Sequence, residues 1–378
     1  MKGFLTTHKG MEDIAALEVY EITGKKANVS DGCVVFDIKS YEDLFKLCYL
    51  SQSAIGVHHL LSEYDSKNIF EDFKQNLQKI DFNGWLSENI AFRVSCIKNT
   101  DGNMPTPELE KEFGALAIEH IKNRRKYAQK VSLNNPGLII SVLITNSKCY
   151  IGIDFCGFDL SKRNYNIFAH PAGIKGTIAY SLVRLSGYNP DERLLDCFSA
   201  SGTISIEASL FASHFPVNFY NKDKFAFLRI QKFKNFDFNE FFKNIDSKIN
   251  AKKLNICNVG SSMKYINYAK KNSKIAGITK KITFSRMDLG WLDTKFDKGE
   301  INKIVVKMPY GQEDMGAIYN EFFYQAEFIL NTKGKIALIG KKDLVEKHSS
   351  KYNFKVISER NISSGKEQYN IFALAKGL

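Results

Sequence analysis

The sequence predicts an α/β protein in two parts, with an α+β N-terminal region followed by a doubly wound sheet. From about residue 193, short apolar strands alternate with helical segments, which is the pattern of a sheet covered on both faces. Within that region, "LLDCFSASGTISIEA" (194–208) predicts a buried strand, a tight loop of small residues, and a helix opened by Gly202 and Thr203. Such a junction is where α/β proteins usually receive a nucleotide-like ligand.

The first sixty residues predict a small β-α-β-α-β unit. Met11, Ile14 and Leu17 recur at helical spacing in "GMEDIAALEVYEITG", and the pattern stops at Gly24. A turn and strand follow at 31–38, a second short helix at 41–50, and a strand near 55–61. We therefore expect an N-terminal ferredoxin-like domain over 1–61.

A second α+β segment is predicted over 62–155. Alternating apolar residues in "NIAFRVSCIK" predict a half-buried strand, and Thr106 is expected to be the N-cap of the next helix, with Pro107 at its first position. Two strands follow, "GLIISVLIT" and "KCYIGIDF". The helix ends in a basic run that fits either its own dipole or a phosphate-contacting patch, namely Lys122, Arg124, Arg125 and Lys126.

The remaining chain is expected to form a linker and the second sheet. Residues 156–188 are expected to form an irregular linker and a leading helix, and 189–378 the C-terminal domain. The last two strands have no room for a crossover helix between them and should form an antiparallel hairpin. The aromatic and lysine-rich segment 214–250 interrupts the alternation, either as a cover over the site or as a structural insertion.

Composition excludes several classes of protein. The 378 residues are 44% hydrophobic and 25% charged, which is ordinary for a globular chain, and the longest apolar run is too short to span a membrane. The first residues turn polar at once, which predicts no signal peptide. Seven scattered cysteines without a CxxC pair indicate reduced thiols and no zinc site, so we expect a cytoplasmic, metal-free protein and take a monomer as the default.

The chain carries a formal net charge of +12, which favours a polyanionic partner. A solvated basic surface explains the same charge equally well. Charge alone therefore does not decide between nucleic acid binding and a merely basic surface.

Five stretches in the correct order resemble the THUMP-domain guanine-N2 RNA methyltransferases, especially the archaeal and bacterial tRNA enzymes that modify the acceptor stem. They are "LTTHKGMEDIAALEV", the linker containing "KRNY", "AHPAGIKGTIAYSLVRLSG", "DCFSASGTISIEA" and "VKMPYGQ" (306–312). The resemblance covers essentially the whole chain. It implies a THUMP RNA-binding domain over 62–155, a Rossmann-like seven-stranded methyltransferase domain over 189–378, and tRNA as partner. Lys162 and Arg163 of the linker are added to the expected RNA-binding residues.

The resemblance also implies S-adenosylmethionine as cofactor and assigns its site. Asp196 ends the first strand, and Gly202 would allow close approach of the backbone to the cofactor. Asp288 matches an acid that contacts the adenine amine, although a loop cap explains it as well. The ribose-binding acid of the family falls on Gly260, which has no acceptor side chain. The expected cofactor-binding residues are Asp196, Ser199, Ser201, Gly202, Thr203, Gly260 and Asp288.

The catalytic loop departs from the family pattern. Lys307 occupies the position of an Asn or Asp that accepts hydrogen bonds from the guanine amine, and an ammonium group has no acceptor. A neutral lysine could act as a base if its pKa were strongly lowered; otherwise Lys307 is a solvated or phosphate-facing cation. Pro309 and Tyr310 are retained, and Tyr310 is expected to stack on a flipped base.

Three functional hypotheses follow. The favoured one is a tRNA-binding relative with weakened or lost methyl transfer and with cofactor binding put in question, because of Gly260 and Lys307. The second is an active methyltransferase with atypical motifs. A nicotinamide-dependent oxidoreductase is disfavoured because no GxGxxG follows the first strand of the second sheet. In the glycine loop, a positive φ at Ala200 would cost about 1 kcal/mol and would not exclude the cofactor.

Overall fold

Two seven-stranded sheets organise the chain in the computed structural model, which describes residues 1–100, 104–311, 314–365 and 367–377. One unit comprises Met1–Leu160 together with Asn218–Asn244. The other comprises Ser161–Val217 and Ile245–Leu378. The main chain therefore passes between the two units three times.

The first sheet has the strand order β2-β3-β1-β4-β7-β6-β5, in which only β5 and β6 run parallel. Pairing of β4 with β7 makes one continuous sheet of the segments before and after residue 61. The elements are β1 (Lys2–Thr6), α1 (Glu12–Thr23), β2 (Ala27–Ser30), β3 (Cys33–Asp37), α2 (Glu42–Leu50), β4 (Gly56–Asp65), α3 (Ile69–Leu77), β5 (Phe92–Asn99), α4 (Thr106–Arg125), β6 (Leu138–Thr145) and β7 (Lys148–Asp154).

The start of α4 corrects one prediction. Thr106 is the first helical residue, and Pro105 is the N-cap in an extended conformation. The backbone N–H groups of Glu108 and Leu109 donate to the Pro105 carbonyl, which therefore accepts the first bonds of the helix. The prediction of Thr106 as N-cap was wrong by one residue, because the sequence does not show which carbonyl accepts these bonds.

The second sheet has the strand order β10-β9-β8-β11-β12-β14-β13. The five strands β8 to β12 are parallel to one another. Strand β14 pairs antiparallel with β12, and β13 and β14 form the expected antiparallel hairpin. The elements that follow β7 along the chain are α5 (Gly176–Leu185), β8 (Leu194–Asp196), α6 (Thr203–Ala212), α7 (Phe238–Asp246), β9 (Ile256–Gly260), α8 (Met263–Ile275), β10 (Ile282–Arg286), α9 (Leu292–Lys295), β11 (Ile301–Lys307), α10 (Met315–Ile329), β12 (Leu330–Ile339), α11 (Lys342–Lys351), β13 (Phe354–Ser364) and β14 (Glu367–Lys376). Of these, α7 lies mostly in the first unit.

The order of this sheet reverses at β8, which pairs with β9 on one side and β11 on the other. Crossover helices leave on opposite sides of such a point and open a crevice at the carboxyl ends of the strands. The loop 197–202 follows β8 directly. The fold therefore places the predicted ligand loop at the topological switch point.

The aromatic segment 214–250 is a structural insertion over most of its length. Its middle part, 218–244, belongs to the first unit, where Phe45 of α2 is buried. Five of its phenylalanines surround that ring at centroid distances of 4.7 to 6.0 Å, namely Phe227, Phe233, Phe236, Phe238 and Phe241. Phe227, Phe233 and Phe241 are buried, and packing of the five rings around Phe45 explains the aromatic composition of the segment.

Candidate cofactor site

A cavity of about 280 Å³ opens at the carboxyl ends of β8, β9 and β11. Its walls come from the loop after β8, the start of α8, the end of β11 and the segment 170–174 that precedes α5. Six of the ten predicted cofactor-binding and catalytic residues line it, namely Asp196, Ser199, Thr203, Gly260, Lys307 and Pro309. The structure therefore brings the predicted cofactor and catalytic motifs into one pocket.

The loop after β8 has the backbone shape of a ligand cradle. Ala200 adopts φ 43° and Gly202 φ 81°, so both residues are left-handed. The Gly202 N–H donates to the Ser199 carbonyl at 2.7 Å, which closes the turn. A Cβ at Gly202 would lie 2.7 Å from Cβ of Ala269 in α8, so glycine is required there by packing as well as by φ. The positive φ considered for Ala200 is present.

Asp196 anchors a buried polar network beneath the loop. Its Oδ2 accepts from Nδ2 of Asn258 at 3.2 Å and from Oγ of Ser205 at 3.4 Å. Ser199 Oγ donates to Oδ1 of the same asparagine at 2.5 Å. Burial raises the pKa of Asp196 to about 7, although hydrogen bonds from the Phe198 N–H, Ser205 and Asn258 oppose this rise. The carboxyl group therefore stays partly protonated near neutral pH.

Asn258 is a site residue that sequence reasoning missed. It lies in the middle of β9 and is fully buried. It joins Asp196, Ser199 and Ser205, which connects β8, its loop and α6. A single amide within the apolar stretch "ICNVG" is the signal that could have identified it, because a buried amide must find hydrogen-bond partners.

The position expected to carry the ribose acid has no space for a side chain. Gly260 ends β9, and a Cβ built there would lie 2.9 Å from Cβ of Ser199. The hydroxyl-bearing residues Ser261 and Ser262 line the cavity next to it. Hydroxyl groups can accept hydrogen bonds, but without the strength of a charged acceptor.

Four other predicted residues are not among those that line the cavity in the described part of the chain. Ser201 is buried and its carbonyl accepts from Asn272 Nδ2 at 3.1 Å, while Gly202 packs on α8. Asp288 is exposed and precedes a short 3-10 turn. Tyr310 is 43% exposed, and Gln312, which ends the quoted stretch 306–312, lies outside the described residues. The roles expected for Asp288 and Tyr310 stay predictions.

Lys307 points its ammonium group toward the segment before α5. Its Nζ donates to the Ala172 carbonyl at 3.0 Å and lies 5.5 Å from the centre of the Tyr369 ring. The side chain is half-buried, and burial lowers the pKa of Lys307, opposed by the charge of Glu367. The neighbouring His170 also has a lowered pKa, first because of burial and then because of the Lys307 charge. A donor therefore occupies the position where the family pattern has an acceptor.

Arg163 is a correction to the expected RNA-binding residues. Its side chain is 3% exposed and forms a two-pronged ion pair with Glu207 of α6, at 2.7 Å from Nε and 3.2 Å from Nη2. The Tyr165 hydroxyl donates to the same carboxylate at 2.6 Å. A guanidinium group held in this way cannot contact phosphate, so the RNA contact expected of Arg163 was wrong. Instead, Arg163 and Tyr165 bind the linker to α6 through Glu207.

The other predicted RNA-binding residues divide into two groups. Lys122, Lys126 and Lys162 are exposed. Arg124 donates to the carbonyls of residues 78 and 80, and Arg125 donates to that of residue 86 and to the side chain of residue 83. The two arginines therefore hold the segment that follows α3. Whether either one also contacts RNA stays a prediction.

Among the described residues there is neither a candidate metal site nor a candidate membrane-spanning helix. In the ranges that the structure describes, no cluster of three or more histidine, cysteine, aspartate or glutamate side chains could hold a metal ion. Over those same ranges, no helix combines the length and the apolar character needed to cross a bilayer. All seven cysteines are free and buried.

Comparison with known protein families gives two matches. Residues 163–370 match the RMKL-like methyltransferase domain, and residues 67–154 match the THUMP domain. The first match spans more than half of the chain.

Two similar proteins match most of the chain. The tRNA (guanine(6)-N2)-methyltransferase of Methanocaldococcus jannaschii is 29% identical over 99% of this chain and 100% of its own length. The enzyme of the same name from Archaeoglobus fulgidus is 25% identical over 89% of this chain and 82% of its own length.

Two solved structures share the fold. One is a possible methylase from Clostridium difficile 630, which superposes with a TM-score of 0.84 at 21% identity and covers 100% of this chain and 98% of its own. SMU.472, solved as a methyltransferase complexed with SAH, superposes with a TM-score of 0.81 at 20% identity and the same coverage. With the family match and the THUMP match, these findings lead to one conclusion: the chain belongs to the RMKL-like methyltransferase family and carries a THUMP domain ahead of its methyltransferase domain.

Proposed function

We propose that this chain is a tRNA-binding member of the guanine-N2 methyltransferases in which methyl transfer is weakened or lost. The observation that carries the proposal is the Lys307 ammonium group, which donates a hydrogen bond at the position where the reaction needs an acceptor. The proposal has three parts, which concern the RNA, the cofactor and the chemistry.

The RNA part rests on relatives, domain content and charge. Two relatives that match most of the chain are named as tRNA methyltransferases, and a THUMP domain matches residues 67–154. The net charge of +12 suits a polyanion, since each phosphate contact releases counterions. Exposed Lys122, Lys126 and Lys162 are available for such contacts.

The cofactor part rests on the shape of the cavity. The left-handed loop after β8 and the buried Asp196 network form the wall that would hold the methionine half of S-adenosylmethionine. Ser261 and Ser262 would face the ribose. Bound there, the cofactor would supply the methyl group. The residues present fit it at the loop and lack the ribose acid at Gly260, so we expect binding that is weaker than in an enzyme with that acid.

The chemical part follows from the nature of the acceptor amine. The lone pair of the guanine N2 amine is delocalised into the ring, so the amine needs a hydrogen-bond acceptor to orient it. Lys307 donates to the Ala172 carbonyl and, while charged, can only donate further. Removing one well-placed catalytic group typically costs 100- to 1000-fold in rate. We therefore expect methyl transfer to be slower by about that factor.

One observation favours a second candidate, an active tRNA guanine-N2 methyltransferase. Burial lowers the pKa of Lys307, which shifts it toward the neutral amine, and a neutral amine has one lone pair. It could keep its bond to the Ala172 carbonyl and accept a proton from guanine. In that case activity would rise with pH as Lys307 loses its proton.

Calorimetric titration tests both the cofactor and the RNA parts. The purified chain is titrated with S-adenosylmethionine and, separately, with an unmodified tRNA transcript. The proposal predicts tRNA binding that weakens with salt, and measurable but weak cofactor binding. Absence of tRNA binding at low salt would reject the proposal. Rapid methylation of the transcript at neutral pH would instead establish the second candidate.

A further inference from the structure

A row of aromatic rings on α8 and the segment before α5 extends from the cavity described above along the helix. Tyr265 and Tyr268 lie 5.8 Å apart between ring centroids. Phe168, from the segment before α5, lies 5.5 Å from Tyr268, and His170 lies 4.1 Å from Tyr265. The row Phe168–Tyr268–Tyr265–His170, here named the α8 aromatic row, starts at the cavity because His170 and Tyr265 line it.

Lysine side chains flank the row. The Lys264 ammonium lies 5.5 Å and 5.8 Å from the rings of Tyr265 and Tyr268, and the Lys271 ammonium lies 4.7 Å from the ring of Phe168. Both lysines are exposed. The helix "MKYINYAKKNSKI" contains four lysines and no acidic residue. The face therefore presents aromatic rings and positive charge without a compensating carboxylate on its own helix.

Asn272 fixes the geometry of the row. It is fully buried on α8, and its side chain bonds both the N–H and the C=O of Phe168 at 3.0 Å. Its Nδ2 also donates to the Ser201 carbonyl of the cofactor loop at 3.1 Å. The segment that carries Phe168 is thus held on α8 through its backbone, so a change of the phenyl ring leaves that attachment in place.

From these contacts we propose that the α8 aromatic row binds unpaired nucleotides of the RNA and leads them to the mouth of the cavity. Surfaces that bind single strands combine aromatic rings, on which bases stack, with basic side chains that follow the phosphates. In the free protein the Lys264 ammonium lies over the rings of Tyr265 and Tyr268 and the Lys271 ammonium over that of Phe168. Both side chains have flexible stems, so a base that stacks on Phe168 or Tyr268 would displace the ammonium from the ring toward the phosphates of the strand. The inference rests on the proposed function, in that the RNA concerned is the tRNA substrate.

Geometry favours a single strand over a duplex. Stacking on a protein ring requires an exposed base face, which a paired stem presents only at its ends. The row also begins at the cavity where chemistry on a base would occur, and a base must leave its stack to enter such a pocket. A strand that is already unpaired on the α8 aromatic row would deliver the base with less unstacking.

The test uses a single-stranded oligoribonucleotide of about eight nucleotides that contains one 2-aminopurine, together with the full tRNA transcript and a hairpin of the same composition, whose two strands are joined by an ethylene glycol linker so that it has no unpaired loop. The variants are Phe168→Ala, Tyr268→Ala, Tyr268→Phe and the double variant Lys264→Ala/Lys271→Ala. Lys351→Ala is the matched control, because Lys351, the last residue of α11, also lies over a ring, 5.1 Å from that of Tyr352, and is exposed.

We expect each alanine variant of a ring to bind the oligoribonucleotide about 5- to 150-fold more weakly, which is the range for loss of one stacked base. Quenching of 2-aminopurine should fall with it, whereas Tyr268→Phe and the control keep both. In the double lysine variant, the slope of log binding constant against log salt concentration should become less steep by about 0.7 for each lost phosphate contact. Hairpin affinity should change little in the ring variants.

Two outcomes separate the inference from the proposed function. In the first outcome, the wild-type chain binds tRNA, and the ring variants match the wild type in oligoribonucleotide affinity and in 2-aminopurine quenching. The α8 aromatic row is then not the binding surface, and the proposed function stands. If the wild-type chain binds no tRNA yet binds the oligoribonucleotide through the rings, the surface stands and the proposed function fails. Equal loss of binding to single strand and hairpin would show general charge attraction and overturn the stacking role.

Discussion

Replacing Arg163 by alanine should destabilise the methyltransferase unit strongly. The Arg163 and Glu207 side chains are 3% and 0% exposed, and the pair has two short contacts plus the Tyr165 hydroxyl on the same carboxylate. Arg163→Ala would leave that carboxylate buried without its cation. Removing one partner of a buried ion pair costs about 3–5 kcal/mol, much more than an exposed pair is worth.

The expected effect on thermal unfolding follows from that free energy. For a domain of 150–250 residues, 1 kcal/mol moves the midpoint by about 2–4 °C, so the variant should melt about 6–20 °C below the wild type. Lys162→Ala is the matched control, because Lys162 is the adjacent residue and is exposed. Its midpoint should stay within about 2 °C, since surface changes are usually within 0.5 kcal/mol.

Differential scanning calorimetry of the wild type and both variants measures these midpoints. A further variant, Arg163→Met with Glu207→Leu, removes both charges and should recover most of the loss, because apolar replacement of a buried pair is often neutral. An Arg163→Ala midpoint equal to that of the control would refute the account of this ion pair. Weakened tRNA affinity in a variant of unchanged stability would restore Arg163 to the RNA-binding residues.

Three further outcomes are expected. Ala200→Gly should raise the free energy of unfolding by about 1 kcal/mol in urea titrations, because Ala200 adopts φ 43°, and a decrease would contradict strain at that residue. Gly260→Asp should lower the free energy of unfolding by about 1–3 kcal/mol, because the new Cβ would lie 2.9 Å from Cβ of Ser199. Adding Ser199→Gly should relieve this overpacking, and an equal loss of stability in the double variant would contradict overpacking as the cause. Burial raises the pKa of Asp196 to about 7, above its value in the unfolded chain, so the unfolded state loses its proton first and stability falls as pH rises from about 4 to 7. Across that range, the free energy of unfolding of the wild type relative to Asp196→Asn should fall by up to about 4 kcal/mol, and a flat difference would refute the raised pKa.

Features set by neighbouring residues could be predicted from the sequence. Period-two and period-3.6 patterns gave the strands and helices of the second sheet, and small residues after β8 gave the loop. The positive φ considered for Ala200 is present, inside the turn that the Gly202 N–H and the Ser199 carbonyl close. The resemblance supplied the family and placed Gly260 and Lys307 at one cavity, which they line.

Features set by distant pairs could not. Arg163 and Glu207 are 44 positions apart, and Asp196 and Asn258 are 62 apart, so no local pattern links them. A basic residue in a linker is equally compatible with phosphate and with a buried carboxylate until the partner is known. For the same reason, the sequence does not decide whether the segment 214–250 covers the site or is a structural insertion, since its phenylalanines pack around Phe45, more than 170 positions earlier. The predicted domain boundaries, the monomeric state and the cytoplasmic location stay predictions.

The central claim is that Lys307 limits methyl transfer, and single-turnover transfer of labelled methyl groups to unmodified tRNA tests it most directly. Lys307→Asn restores an acceptor at the end of β11, with Lys333→Asn as the control at an exposed lysine. The account predicts that Lys307→Asn methylates tRNA about 100- to 1000-fold faster than the wild type at saturating cofactor, with the control unchanged. A lower rate for Lys307→Asn than for the wild type would contradict this claim and show that Lys307 itself serves the reaction.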